Sequence, residues 1–147
     1  MTDRAVIFDL NGTLVDTAPD LMRATNHVLN LRGRRAIGME EVRVFVGHGA
    51  RALLTRGLAA TGGLPEGYDV EPDYKTFVDF YAENIAGDST PFPGLTALLD
   101  RLKADGIALG VCTNKLATLS VLLLDALKAG ASVTERDIGE PVLLQEL

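Results

Sequence analysis

The sequence has no tryptophan, one cysteine and only 5% aromatic residues. A single cysteine excludes an internal disulfide. Cys112 lies in the apolar run Ile107-Ala108-Leu109-Gly110-Val111-Cys112, which points to burial as a small hydrophobe rather than to reactivity. Positive charge is also scarce: 14 Lys and Arg stand against 20 Asp and Glu, for a net charge of −6. That balance excludes the broad basic face needed to hold nucleic acid or an anionic membrane. The only dense basic cluster, Arg32-Gly33-Arg34-Arg35, reads as the solvated end of a helix. No apolar run reaches membrane-spanning length, and Met1-Thr2-Asp3-Arg4 does not open a secretory leader, so a soluble, cytoplasmic protein is expected.

Hydrophobic residues make up 47% of the 147 positions, enough to build one ordinary domain or a modest core carrying an insertion. Arg4 to Phe8 predicts a central parallel strand buried on both faces. Thr17 or Asp16 can cap a helix with Pro19 in its first turn, and Leu21, Ala24, Val28 and Leu31 recur at helical spacing until Gly33. Further helices are predicted over Met39–Phe45, Ala50–Ala60 and Pro72–Ile85, the last with Phe77, Phe80, Tyr81 and Ile85 on one face. Pro91 and Pro93 mark a hinge-like loop. Then come an amphipathic helix with Leu95, Leu98, Leu99 and Leu102, the strand of Cys112, and a final helix over Leu116–Lys128 burying Leu119, Leu122, Leu123 and Leu127.

Two segments carry candidate chemistry. In Val6-Ile7-Phe8-Asp9-Leu10-Asn11-Gly12-Thr13-Leu14-Val15-Asp16 an apolar strand delivers one carboxylate into a Gly-Thr turn. Open α/β sheets place their ligand crevice at such a strand end, and Gly12 lets backbone come close to a ligand. A lone Asp there also suits a turn or cap. In Leu109-Gly110-Val111-Cys112-Thr113-Asn114-Lys115 a second apolar strand ends in a hydroxyl and an amide. Thr and Asn there suit either an ordinary N-cap or a phosphate anchor at a helix N-terminus.

Together these segments resemble the first two motifs of the haloacid dehalogenase (HAD) superfamily of aspartate-nucleophile phosphatases. Thr113-Asn114-Lys115, the loop Val46-Gly47-His48-Gly49-Ala50-Arg51 and Pro91-Phe92-Pro93-Gly94 are similar to its phosphoglycolate phosphatase branch. The resemblance runs from about Ala5 to Lys128. It implies an α/β fold: a Rossmann-like core from residues 1–15 and 90–147, interrupted by an all-helical cap over residues 16–89. It implies hydrolysis of a small phosphorylated metabolite with Mg2+, with Asp9 as nucleophile and Gly12, Thr113 and Asn114 holding the phosphate. Asp9 and Asn11 would be metal ligands, and Gly47, His48, Gly49 and Arg51 would form the substrate loop of the cap.

Asn11 stands where the family has its acid/base Asp. The family's third motif, a Lys, and its fourth, an acidic pair after a further strand, are not found. Asp137 and Glu140 follow no apolar strand, and His27 inside a helix reads as structural. The expected core is therefore incomplete, the activity weak, and self-association through uncovered sheet surface is expected. The alternatives are a non-catalytic binder of phosphometabolites or protein, and a truncated product.

Overall fold

A computed structural model describes residues 4–127, so Asp137, Glu140 and the segment Pro141–Leu147 lie outside the described residues. The chain order is β1 (Ala5–Phe8), β2 (Val15–Asp16), α1 (Ala18–Leu31), α2 (Met39–Phe45), α3 (Gly49–Ala60), α4 (Glu71–Glu83), β3 (Thr90–Pro91), α5 (Leu95–Ala104), β4 (Ala108–Val111) and α6 (Ala117–Ala126). The described residues divide into two compact units, one drawn from 4–16 and 90–127 and the other from Thr17–Ser89.

In the first unit β1 and β4 pair in parallel, with Ala5 opposite Ala108 and Phe8 opposite Val111. Two short apolar strands separated by about a hundred residues are joined this way because parallel pairing needs a crossover. Among the described residues the sheet has only these two strands. Ile7 is consequently 70% exposed, and β1 is not buried on both faces as its apolar run suggests. β2 and β3 form a separate antiparallel pair, Val15 with Pro91 and Asp16 with Thr90. The loop predicted around Pro91 thus holds a strand, and Pro91, which has no N–H to donate, lies in a pair with open edges.

α5 and α6 bury Leu95, Leu99, Leu119, Leu123 and Leu124. Two expected core residues turn outward: Leu98 on α5 and Leu122 on α6 are each nearly half exposed. The run Val121-Leu122-Leu123-Leu124 has no periodicity of its own, and helix orientation selects Leu124 in place of Leu122. Cys112 is half-buried, just beyond the end of β4.

The second unit is four helices. α1 begins with Pro in its first turn and ends in a Schellman closure: the Arg34 N–H reaches the Leu29 carbonyl at 2.8 Å and the Gly33 N–H reaches Asn30 at 2.9 Å. Gly33 has φ +65, the left-handed conformation that this closure demands. Thr17 is the N-cap residue but makes no side-chain cap bond, and Leu31, one position before the C-cap, is exposed. The core joins Ala18, Leu29, Ile37, Val42 and Leu58, with Met22, Met39, Phe45 and Tyr68 packed against it. Phe77 and Tyr81 are buried on α4, and His27 stacks on Phe80 with centroids 4.3 Å apart, a structural role.

The basic cluster stands at the end of α1 and is solvated, with the Arg32 and Arg35 side chains 42% and 55% exposed, but its guanidinium groups are also engaged. Arg32 pairs with Asp73 at 3.0 Å, Arg34 donates to the Thr61 and Gly63 carbonyls, and Arg35 grips Glu41 through two bonds. Each guanidinium ties the α1–α2 connection to another part of the unit. At the start of α1 the buried Asp20 carboxylate accepts the Asp88 and Ser89 N–H groups and the Ser89 hydroxyl. That carboxylate fastens the segment leading into β3 to the first turn of α1.

Candidate active site

Parallel pairing in register brings the carboxyl ends of β1 and β4 side by side, about 4.8 Å apart. The Cys112 N–H continues the ladder onto the Phe8 carbonyl at 2.8 Å. Asp9 leaves one strand and Thr113 follows the other, at the edge where open α/β sheets collect ligands.

Asp9 is exposed and its Oδ1 accepts the Leu10 N–H at 2.7 Å. That bond fixes the carboxylate, while Oδ2 takes no hydrogen bond among the described residues. The loop that follows winds around buried Leu10, whose carbonyl accepts the Leu14 N–H at 3.0 Å and the Val15 N–H at 3.1 Å. Gly12 closes the turn by donating to the Val15 carbonyl at 2.8 Å. Its φ is +76 and a Cβ there would meet nothing within 4 Å, so backbone conformation rather than space calls for glycine.

Asn11 is half-buried, and its Oδ1 is shut away from solvent with no hydrogen-bond partner among the described residues. An acceptor in that state costs roughly 1–3 kcal/mol. An amide there accepts or donates hydrogen bonds but transfers no proton at neutral pH.

Thr113 is not a helix cap. α6 starts at Ala117 with Leu116 as its N-cap, and the Thr113 Oγ1 instead accepts the Lys115 N–H at 3.2 Å in the connecting loop. A hydroxyl that accepts in this way keeps its O–H free to donate to an oxyanion. Asn114 is exposed in the same loop.

The remaining predicted residues lie in the second unit. Gly47 and Gly49 have φ of +113 and +84, and His48 between them is the N-cap residue of α3 without a side-chain cap bond. Arg51 is already engaged: its guanidinium holds Glu71 through two bonds, of 2.6 and 3.0 Å, and lies 3.7 Å above the centre of the Tyr74 ring. The Glu71 bond raises the Arg51 pKa and lowers that of Glu71. Arg56 donates to the Phe45 carbonyl at 3.0 Å and to His48 Nδ1 at 3.3 Å. Sequence reasoning missed Glu71, Tyr74 and Arg56, because their partners are 20, 23 and 8 residues away along the chain and no local pattern announces them.

A family model described as haloacid dehalogenase-like hydrolase matches residues 6–134. The chain belongs to this family. Among HAD-like relatives, phosphoglycolate phosphatase of Caulobacter vibrioides is 48% identical over 121 residues, which are 82% of this chain and 51% of the relative. Phosphoglycolate phosphatase of Agrobacterium fabrum is 43% identical over 122 residues, 82% of this chain and 52% of the relative. The chain thus spans about half the length of these curated relatives. A predicted phosphoglycolate phosphatase from Haemophilus somnus superposes with a TM-score of 0.75 at 27% identity, covering 96% of this chain and 67% of that one. CbbY from Rhodobacter sphaeroides in complex with phosphate superposes with a TM-score of 0.68 at 25% identity, covering 85% and 57%.

Magnesium takes oxygen ligands, and Asp9 with the Asn11 carbonyl could supply two. Among the described residues, however, no group of three or more His, Cys, Asp or Glu could hold a metal ion. Those residues do not fit a complete magnesium site. No helix among the described residues is long and apolar enough to cross a membrane.

Proposed function

We propose that this HAD-like chain hydrolyses a small phosphate monoester of the phosphoglycolate type through an aspartyl-phosphate on Asp9, and does so slowly. The observation that carries the reading is Asp9 at the carboxyl end of β1, one oxygen fixed by the Leu10 N–H and the other open, with Thr113 in the loop that follows the paired β4. Its relatives' names add the substrate class.

In this reaction Asp9 Oδ2 attacks phosphorus, the bond from phosphorus to the ester oxygen breaks, and an alkoxide departs. Water then cleaves the acyl phosphate and restores the carboxylate. Thr113 and the turn around Gly12 orient the phosphoryl oxygens. The leaving alkoxide needs a proton and the attacking water must lose one. Asn11 can do neither, and a missing general acid/base costs on the order of 10²–10⁴ in rate. The family's magnesium would offset the charge of carboxylate and phosphate. Asp9 and the Asn11 carbonyl would be its ligands from this part of the chain. In this reading Thr17–Ser89 acts as the cap, with Gly47, His48, Gly49 and Arg51 as its substrate loop.

The test is hydrolysis of para-nitrophenyl phosphate and 2-phosphoglycolate with magnesium, by the native chain and Asp9→Asn. Slow turnover abolished in Asp9→Asn supports the proposal, and turnover that survives the change overturns it. A second reading, a non-catalytic phosphometabolite binder, is favoured by the amide at position 11. Thermal stabilisation by phosphate with no measurable turnover would select it.

A further inference from the structure

The α2–α3 turn contains a histidine whose ring is held from behind. Arg56, two turns into α3, sends Nη1 back to the Phe45 carbonyl at 3.0 Å and to His48 Nδ1 at 3.3 Å. A guanidinium has five donors and no acceptor, so Nδ1 must be the accepting nitrogen. The neutral ring then carries its proton on Nε2, and which nitrogen is protonated is set by the bond that the other makes. His48 is exposed, its side chain does not cap α3, and glycines of positive φ flank it, so no other side chain of the turn crowds the ring.

We propose that Arg56 is a positioning residue: it fixes His48 as the Nε2–H tautomer, so that the α2–α3 turn offers a rigid N–H donor to an oxyanion of the bound ligand. The ligand half of this assignment rests on the reading that the turn meets substrate. The tautomer half stands on the geometry alone.

The experiment is ¹⁵N NMR of the histidine ring nitrogens in the native chain and in Arg56→Gln, each titrated with 2-phosphoglycolate and, separately, with inorganic phosphate. Of the two histidines, His48 in the native chain is expected to show one tautomer, protonated on Nε2, with that nitrogen shifting on titration. Arg56→Gln is expected to show an averaged mixture and about tenfold weaker binding, the size of one lost charge-assisted hydrogen bond. A shift with both ligands assigns the donor to the phosphoryl group, and a shift with 2-phosphoglycolate alone assigns it to the carboxylate.

Because Arg56 also holds the Phe45 carbonyl, a double-mutant cycle with His48→Ala separates positioning from collapse of the turn. Arg56→Gln should add nothing to the binding loss of His48→Ala. Full additivity, or identical averaged ring signals in native and Arg56→Gln, overturns the proposal. A fixed tautomer that does not respond to either ligand overturns the donor assignment. Absent turnover with the tautomer and the titration shift intact counts against the phosphatase reading instead.

Discussion

Asn11→Asp puts the family's carboxylate back into a position where the fold buries an unpaired side-chain oxygen. The Asn11 Oδ1 is buried with no donor among the described residues, and Asp9 lies two residues earlier. Burial and a neighbouring carboxylate both disfavour the ionised form and push the new acid upward. The sign follows: where the folded pKa lies above the unfolded one, both states are protonated at low pH and nothing is lost. The cost grows as pH rises through the unfolded value and is complete above the folded value. The native Asn11 Oδ1 is already buried and unpaired, so the added cost is that of ionisation alone, about 1.4 kcal/mol for each unit by which the acid is raised. At roughly 2–4 °C per kcal/mol for a chain of this size, Tm should fall by about 3–6 °C at pH 7 for each such unit. The difference from the native chain should shrink toward pH 4. Turnover should change by less than about tenfold, because Asp9 and the phosphate would still meet without a completed cation site. Differential scanning fluorimetry across pH and a magnesium-supplemented phosphatase assay give both readouts. A gain of about 10²–10⁴ with an undiminished Tm at pH 7 would refute the reasoning, by showing that the missing acid/base was the dominant defect.

Three further outcomes follow from single contacts. Asp20→Ala strands the buried Ser89 donors and frees the Asp88 N–H, and should destabilise the chain by about 3 kcal/mol in urea unfolding. Gly12→Ala meets no steric obstacle but must hold φ +76, so it should cost about 1–2 kcal/mol in the same assay. The Arg35 bonds and the Gly38 N–H lower the Glu41 carboxyl from 4.5 to about 2. Its contribution is therefore full above pH 4.5 and lost as pH falls through about 2, and Glu41→Gln should flatten the pH dependence of the urea midpoint in that window.

The parts of the fold legible in the sequence were those with a local signal long enough to read. The apolar run ending in Asp9, the punctuation by Gly33 and Gly62-Gly63, and the spacing of Leu21, Ala24 and Val28 placed β1 and α1–α4 to within one or two residues. β2 and β3 were not legible, because strands of two residues carry no alternation and exist only through each other. The outward turn of Leu122 was hidden in a run that is apolar on every face. The partners of the solvated Arg32–Arg35 cluster were not legible because they come from later segments: Asp73 is 41 residues on and Thr61 is 27. In the candidate site, the placement of Asp9 at the end of β1 followed from strand and turn chemistry. Thr113 did not become an N-cap because α6 begins at Ala117, leaving its hydroxyl to a local turn. The engagement of Arg51 by Glu71 and Tyr74 depended on the packing of α3 and α4, which no single segment encodes.

The most direct test of the central claim is steady-state hydrolysis of 2-phosphoglycolate with magnesium by three purified proteins: this chain, its Asp9→Asn variant and the full-length Caulobacter vibrioides relative. Turnover by this chain is expected to lie at least about 10²-fold below the relative's, with none above background in Asp9→Asn. Turnover equal to the relative's, or a residual rate unchanged by Asp9→Asn, would contradict it.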